Sequence, residues 1–371
     1  YILPHRPRFF TSDRSSAGNR HNKNIIDFRG TIAQRTLTSG LMSGVTSPAR
    51  AWFRLALPVD GKDEIPSVKA WLYETQQILQ HELSKSDLYK VLPGVYDDLG
   101  TFGTAAAAIQ ENFVIGEAPF RFMSFPVGSY WLVNDANNRV GVFYREFALT
   151  VRQLVGDYNT QGRPISEPDP AVFSRRVLDL VRTGKWEELV DVCHIVLPNP
   201  DYVAASMLSK DKRFWSCHWE KGSKDGDQNK FLRESGMDEF HIFGLRWQAN
   251  GEDAYATMCP GMVALGDVKM LQQLQRRKLQ AVDKMVNPPM VYPASMRTGK
   301  VSILPGDSNF ADERDGQKTI RPAHEVNVPL GELDLVIQET QRRIDQAYFA
   351  DLFLMLAQDE RNERPTATEV Q

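Results

Sequence analysis

Residues 260–289 read PGMVALGDVKMLQQLQRRKLQAVDKMVNPP, and residues 329–357 read PLGELDLVIQETQRRIDQAYFADLFLMLA. The first stretch predicts a helix from about Met262 to Val286, stopped by Asn287-Pro288-Pro289 because proline lacks an amide donor and clashes with the preceding turn. The second holds Leu333, Ile337, Thr340, Ile344, Ala347 and Leu352 at three- and four-residue spacing, which predicts a helix from about Pro329 to Ala357. At 1.5 Å per residue each rod is about 40 Å long. Between them, residues 288–328 are rich in proline, glycine and short polar residues, with weak strand signals at Lys300–Leu304 and Lys318–Arg321. The pattern is a hairpin of two struts carrying a small insert at its tip. The struts differ in sign. The first carries Lys269, Arg276, Arg277, Lys278 and Lys284 against Asp267 and Asp283, and the second carries Glu332, Asp334, Glu339, Asp345 and Asp351 against Arg342 and Arg343.

Outward from the hairpin, residues 24–258 read as an α+β body. Helical spacing predicts helices over about Asn24–Met42, Ser67–Ser84 and Ser86–Phe102. The period then changes to β-type runs at Ala107–Phe113, Phe120–Phe125, Tyr130–Val133 and Val140–Leu149, with Asn134–Asn138 as the hairpin turn of an antiparallel sheet. Thr150 caps a helix over Val151–Tyr158, another helix falls around Val172–Arg182, and further β-type runs lie at Val192–Leu197, Phe214–Glu220 and Glu239–Trp247. Residues 1–23 form a basic, extended arm. Residues 1–50 hold eight basic side chains and two acids, a local excess of six.

The 371 residues suggest two or three compact units, and 42% hydrophobic with 25% charged residues excludes wholesale disorder. The longest mainly apolar stretch, Ala347–Ala357, is about half the ~20 residues a bilayer crossing needs and contains Asp351. Cys193, Cys217 and Cys259 form no CxxC pair, so neither a disulfide framework nor zinc spacing is indicated, and the chain reads as reduced and cytosolic in origin. A net charge of −3 argues against a globally basic nucleic-acid binder.

Phosphate-loop, dinucleotide, zinc-protease and serine-elbow motifs are absent, and the seven histidines are scattered, with surface or hydrogen-bonded structural roles expected. Asp225–Asn229 starts like a calcium loop but puts Lys230 where the turn glycine belongs, so it reads as a polar hairpin turn. The acidic run Asp312–Asp315 reads as a solvated loop tip. No catalytic residue, metal site or cofactor is expected. The chain starts at Tyr1, and Thr366 with Glu369 makes a capping box where the sequence stops, so an excerpt of a longer polypeptide is expected.

Several blocks, in order, carry a resemblance: Leu41–Phe53, Asp98–Ala106, Tyr144–Phe147, Phe231–Gly236, Gly261–Lys269, Asp283–Met290 and Ala347–Phe353. Over nearly all of residues 24–371 the sequence resembles the head-to-tail connecting, or portal, proteins of short-tailed bacteriophages. One departure is Tyr255–Pro260, where the family pattern has glycine after the tyrosine and serine before the proline.

The resemblance implies a phage portal fold: an α+β wing over 24–258, stem helices over 259–287 and 329–357, a clip over 288–328, a tunnel loop over 358–366 and the start of a following helix at 367–371. It implies a homododecameric ring at one capsid vertex of the virion, assembled in the host cytoplasm, through which DNA is packaged and ejected. The implied partners are further copies of the chain, double-stranded DNA without sequence specificity, the terminase large subunit, the major capsid protein, the scaffolding protein and the tail adaptor protein, with no membrane and no enzyme activity. Another ring-forming virion protein, such as a tail adaptor, is the competing reading.

Twelve helices of about 10 Å diameter standing side by side leave a hole near 28 Å across, enough for a duplex roughly 20 Å wide. Within such a ring, Arg361 and Arg364, with Gln358, Asn362, Arg342 and Arg343, are expected to contact DNA. Glu332, Glu339 and Asp345 are expected to line the channel and keep DNA from sticking, while Lys269, Arg276, Arg277 and Lys284 are expected to meet the neighbouring subunit's acidic helix.

Overall fold

The computed structural model describes residues 1–4, 22–58, 65–204, 206–222, 230–286, 290–291, 321–322 and 329–355. Three helices open the fold: α1 (Arg29–Gly44), α2 (Pro66–Lys85) and α3 (Leu88–Phe102). Helix α1 starts later than its apolar spacing suggests. The Asp27 carboxylate accepts from the Arg29 amide at 2.8 Å, and the residues before it bond to a distant helix instead of continuing a turn. Helix α2 buries only Leu72 and leaves Trp71, Tyr73 and Ile78 exposed. Residues 1–4 are not a free arm. Ile2 is buried and its carbonyl accepts from the Thr31 hydroxyl at 2.7 Å.

Eight strands build two antiparallel sheets. Strands β1 (Thr104–Glu111), β2 (Phe120–Phe125) and β8 (Ile242–Arg246) form a three-stranded sheet with β1 central. Strands β3 (Tyr130–Asn134), β4 (Val140–Thr150), β5 (Leu189–Pro198), β6 (Phe214–Glu220) and β7 (Arg233–Met237) form a five-stranded meander in that order. Mixed helix and antiparallel sheet agree with the α+β reading. Strand β7 has no strand signal in its sequence, RESGM. It pairs at the sheet edge because β6 supplies partners from Phe214↔Met237 to His218↔Arg233.

One face of the five-stranded sheet is covered at both ends. At one end the three-stranded sheet packs on it through Ala106, Ala108, Phe125 and Ile242 against Tyr130, Leu132, Phe143 and Val196. At the other end sit α4 (Val151–Tyr158) and α5 (Arg175–Arg182), burying Leu154, Val155, Phe173 and Val177 against Val190 and Val192. Thr150 caps α4 with the full capping box expected of Thr-x-x-Gln. Helix α5 begins at Arg175 instead of Val172, because the Ser174 side chain caps it and the Ser174 amide donates to Glu220 Oε1 at 2.9 Å.

The last third holds α6 (Pro260–Val286), the short antiparallel pair β9 (Met290–Val291) and β10 (Arg321–Pro322), and α7 (Leu330–Ala347). The expected second rod through Ala357 is broken. Tyr348 and Phe349 form a turn, Phe349 has φ +55°, and helical backbone resumes over 350–355. A left-handed phenylalanine costs on the order of 1–2 kcal/mol. It is offset by full burial of Tyr348 and by Phe349 stacking on Trp247, ring centroids 6.4 Å apart. The strand signal at 300–304 and all of 318–321 but Arg321 lie outside the described residues, as do 225–229 and 312–315.

Helix α6 starts hard against α3. A Cβ on Gly261 would lie 2.5 Å from the Thr101 carbonyl oxygen and 2.8 Å from its Cα, both backbone atoms that cannot swing aside. Gly261→Ala is therefore expected to cost about 1–3 kcal/mol, read as a lower denaturant midpoint with an unchanged slope. A midpoint within error of the parent would show that the α3–α6 joint yields. Just before it, Cys259 is buried and its sulfur accepts from the amides of Gly261 and Met262, so a thiol stands in the helix-capping place. Burial pushes that thiol up, with the two amide bonds pulling the other way.

Candidate functional site

The paired helices are bound to the body at one end and bare at the other. At the bound end Ala264, Val268 and Leu271 of α6 meet Ile337 and Ile344 of α7, Tyr348 just after it, and Ala33 and Leu37 of α1 in one apolar cluster. Polar groups pin the same joint. Gln272, only 6% exposed, accepts from the amides of Ile26 and Asp27 at 2.8 and 3.0 Å and donates to the Asp27 carbonyl at 2.8 Å. The Asp27 carboxylate in turn accepts from Gln275 of α6 and Gln341 of α7, each at 3.0 Å. Arg29 donates Nε to the two oxygens of Asp345 at 2.8 and 3.0 Å, and its terminal nitrogen completes the fork.

From Arg276 outward α6 buries no residue, and Leu279, Val282, Met285 and Val286 are all exposed, as are Leu335 and Val336 of α7. Lys269, Gln273, Arg276 and Gln280 follow a 4-3-4 spacing on one exposed stripe, and Arg277 and Lys284 are also exposed. On α7, Glu332, Glu339 and Arg342 share an exposed face opposite Leu333, Ile337 and Ile344.

Two of the expected site residues meet partners within the chain. Asp345, expected on an open acidic wall, is 7% exposed and bound to Arg29, since its position shares the buried face with Ile337 and Ile344. Arg343, expected toward DNA, forms an ion pair at 3.0 Å with Asp267 of the same chain. Lys278 likewise meets Asp334 at 2.5 Å, so part of the opposite charge on the two rods is matched within one hairpin. Each pair is half-exposed and worth about 0–1 kcal/mol. Among the described residues, Arg276, Arg277 and Lys284 form no ion pair, and Lys269 sits 6.0 Å from the Tyr1 ring. Gln358, Arg361, Asn362 and Arg364 lie outside the described residues.

The polar joint of Asp27, Gln272, Gln275 and Gln341 was missed by sequence reasoning. One signal was present, since Gln272 falls on the stripe of Ala264, Val268 and Leu271, where a polar residue must find partners. Cys193 and Cys217 are buried as expected. Among the described residues, no helix is long and apolar enough to cross a membrane, and no three His, Cys, Asp or Glu side chains gather as metal ligands.

The family described as "Bacteriophage head to tail connecting protein" matches residues 1–371. The chain belongs to this head-to-tail connecting family. It is 44% identical over 356 residues to the portal protein of Salmonella phage epsilon15, covering 96% of this chain and 61% of that protein. It is 38% identical over 370 residues to the probable portal protein of Bordetella phage BPP-1, covering 100% of this chain and 63% of that one. The chain thus spans about three-fifths of the length of these relatives. Head-to-tail connecting proteins are structural parts of the virion and not enzymes.

Proposed function

We propose that the chain forms most of one subunit of a portal ring at a capsid vertex, a conduit for double-stranded DNA during packaging and ejection. The observation that carries this reading is the bare outer half of the helix pair. A lone chain leaves Leu279, Val282, Met285, Val286, Leu335 and Val336 in water, and copies of the same hairpin side by side would cover them. In this reading residues 24–258 are the wing, 259–287 and 329–357 the stem, 288–328 the clip and 358–366 the tunnel loop. The clip assignment is supported by β9 meeting β10, which returns the insert's two legs to each other beyond the helix tips.

Glu332, Glu339 and Arg342 then face the lumen, where sparse acidic groups keep the duplex from sticking, and Arg361 and Arg364 supply phosphate contacts. The exposed Arg276 and Arg277 meet the neighbouring acidic helix. The partners are the major capsid and scaffolding proteins at the wing, and the terminase large subunit followed by the tail adaptor at the clip. Images of the full-length protein should show a twelve-fold ring with an axial opening, and a closed globule would end the proposal. The double charge reversal of Arg276 and Arg277 to glutamate should remove rings from sedimentation profiles while circular dichroism stays unchanged. Intact rings in that variant would reject the pairing of opposite helices, though not the conduit itself.

A further inference from the structure

Four adjacent strands of the meander place nitrogen-rich side chains on a single rung. Arg145 of β4 stands opposite His194 of β5, His194 opposite His218 of β6, and His218 opposite Arg233 of β7. Two arginines thus flank two imidazoles across the sheet, and a guanidinium turned into a covered face needs a partner for its charge. The rung lies on the covered face, between the apolar core under the three-stranded sheet and the one under α4, and it lines a cavity of about 810 Å³.

The two imidazoles stack with centroids 3.8 Å apart and planes 8° from parallel. Arg145 Nε donates to His194 Nδ1 at 3.1 Å, which leaves the proton of His194 on Nε2, 3.0 Å from the Ser216 hydroxyl. His218 is 8% exposed, and its Nδ1 has no hydrogen-bond partner among the described residues. Arg145 lies over Phe125 and Phe147 at 4.8 and 4.4 Å, and Arg233, at the mouth, lies over Tyr158 at 5.0 Å and donates to the Asp157 carbonyl. Among the described residues neither arginine has a carboxylate partner. Of the acids on the cavity wall, Asp238 is held by Lys212 at 2.9 Å, and Glu111 and Glu239 are exposed.

A buried guanidinium without a counter-ion, Arg145, and a buried ring nitrogen without a partner therefore line one cavity, with the exposed Arg233 guanidinium at its mouth. A group carrying several acceptor oxygens and negative charge would satisfy all three at once. We propose that this cavity binds a small oxyanion of the phosphate type, anchored by Arg145 and the His218 Nδ1–H, with Arg233 guarding the mouth. The proposal is independent of the portal reading, because it concerns the interior of the sheet body and not the helix pair. Burial keeps both imidazoles uncharged near neutral pH, so the anion answers the arginines and takes a neutral donor from His218.

The test is calorimetric titration of the full-length protein with inorganic phosphate, in chloride buffer at fixed ionic strength. Saturable binding at one site per chain is expected, weakened about tenfold or more in both Arg145→Gln and Arg233→Gln, since a charge-assisted hydrogen bond contributes about 1.5–3 kcal/mol. No saturable heat, or an affinity in both variants equal to the parent's, would overturn the proposal. Should Arg145→Gln fail to fold, Arg233→Gln decides alone, because Arg233 is exposed and its loss leaves the core intact. A third arm adds duplex DNA in excess. Retained phosphate binding supports a free small ion, and displacement would overturn it in favour of a backbone phosphate.

Discussion

Replacing Arg29 with methionine is expected to destabilise the chain by about 2–3 kcal/mol, less than for a fully buried pair because only the carboxylate is out of water. The Asp345 side chain is 9% exposed and has the Arg29 guanidinium as its fork partner, while the arginine itself is 41% exposed. The carboxylate therefore suffers most from separation. It sits on α7 beside the fully buried Ile344, so its uncompensated charge would loosen the bound end of the helix pair. A matched change separates this cause from lost packing. Arg29→Met combined with Asp345→Leu removes both charges and should recover most of the loss, since well-packed apolar replacements of ion pairs are often neutral. Urea denaturation of the two single variants and the double variant gives the coupling directly. Additive losses would mean that the fork contributes little.

Acidification should produce the second large effect, through the stacked histidines. Burial, then the neighbouring ring, then Arg145 and Arg233 hold His194 well below its ordinary value, and burial followed by the same arginines does so for His218. From the other packed elements the rung faces Tyr158 of α4 and, on the three-stranded sheet side, His241 and Glu111. Because the folded values lie below the unfolded value of about 6.5, the unfolded chain binds more protons in the interval between them. Stability is then complete above about pH 6.5 and falls as pH drops, by about 1.4 kcal/mol per pH unit for each imidazole. At pH 5.5 the pair should have lost about 2–3 kcal/mol relative to pH 7.5. Unfolding midpoints measured across that range in phosphate-free buffer would show it, with a shallower slope in His218→Gln. An identical slope in that variant would remove the histidines from the account.

Much of the fold was legible because periodicity is a local property. The 3/4 spacing on residues 262–286 gives α6 almost to the residue, and Thr150 with Gln153 marks the start of α4. The strands β2, β3, β4 and β6 follow their apolar runs to within a residue or so. What was not legible depended on partners far along the chain. Edge strand β7 exists because β6 offers it hydrogen bonds, and residues 1–4 are packed because Thr31 and the α1–α6 cluster receive them. The basic rung was equally hidden. Arg145, His194, His218 and Arg233 are spread over about ninety positions, and only the strand register sets them side by side.

The sequence by itself determined the two charged rods, the insert between them, the α+β body and the family, because each is written in spacing, proline stops or ordered blocks of residues. Tertiary structure alone decided that α7 ends at Ala347, that Asp345 turns inward to Arg29 and that four nitrogen-bearing side chains meet over one cavity. The reason is that helical and strand periods are set by neighbours along the backbone, whereas the burial and partner of a charge are set by whichever distant segment folds against it.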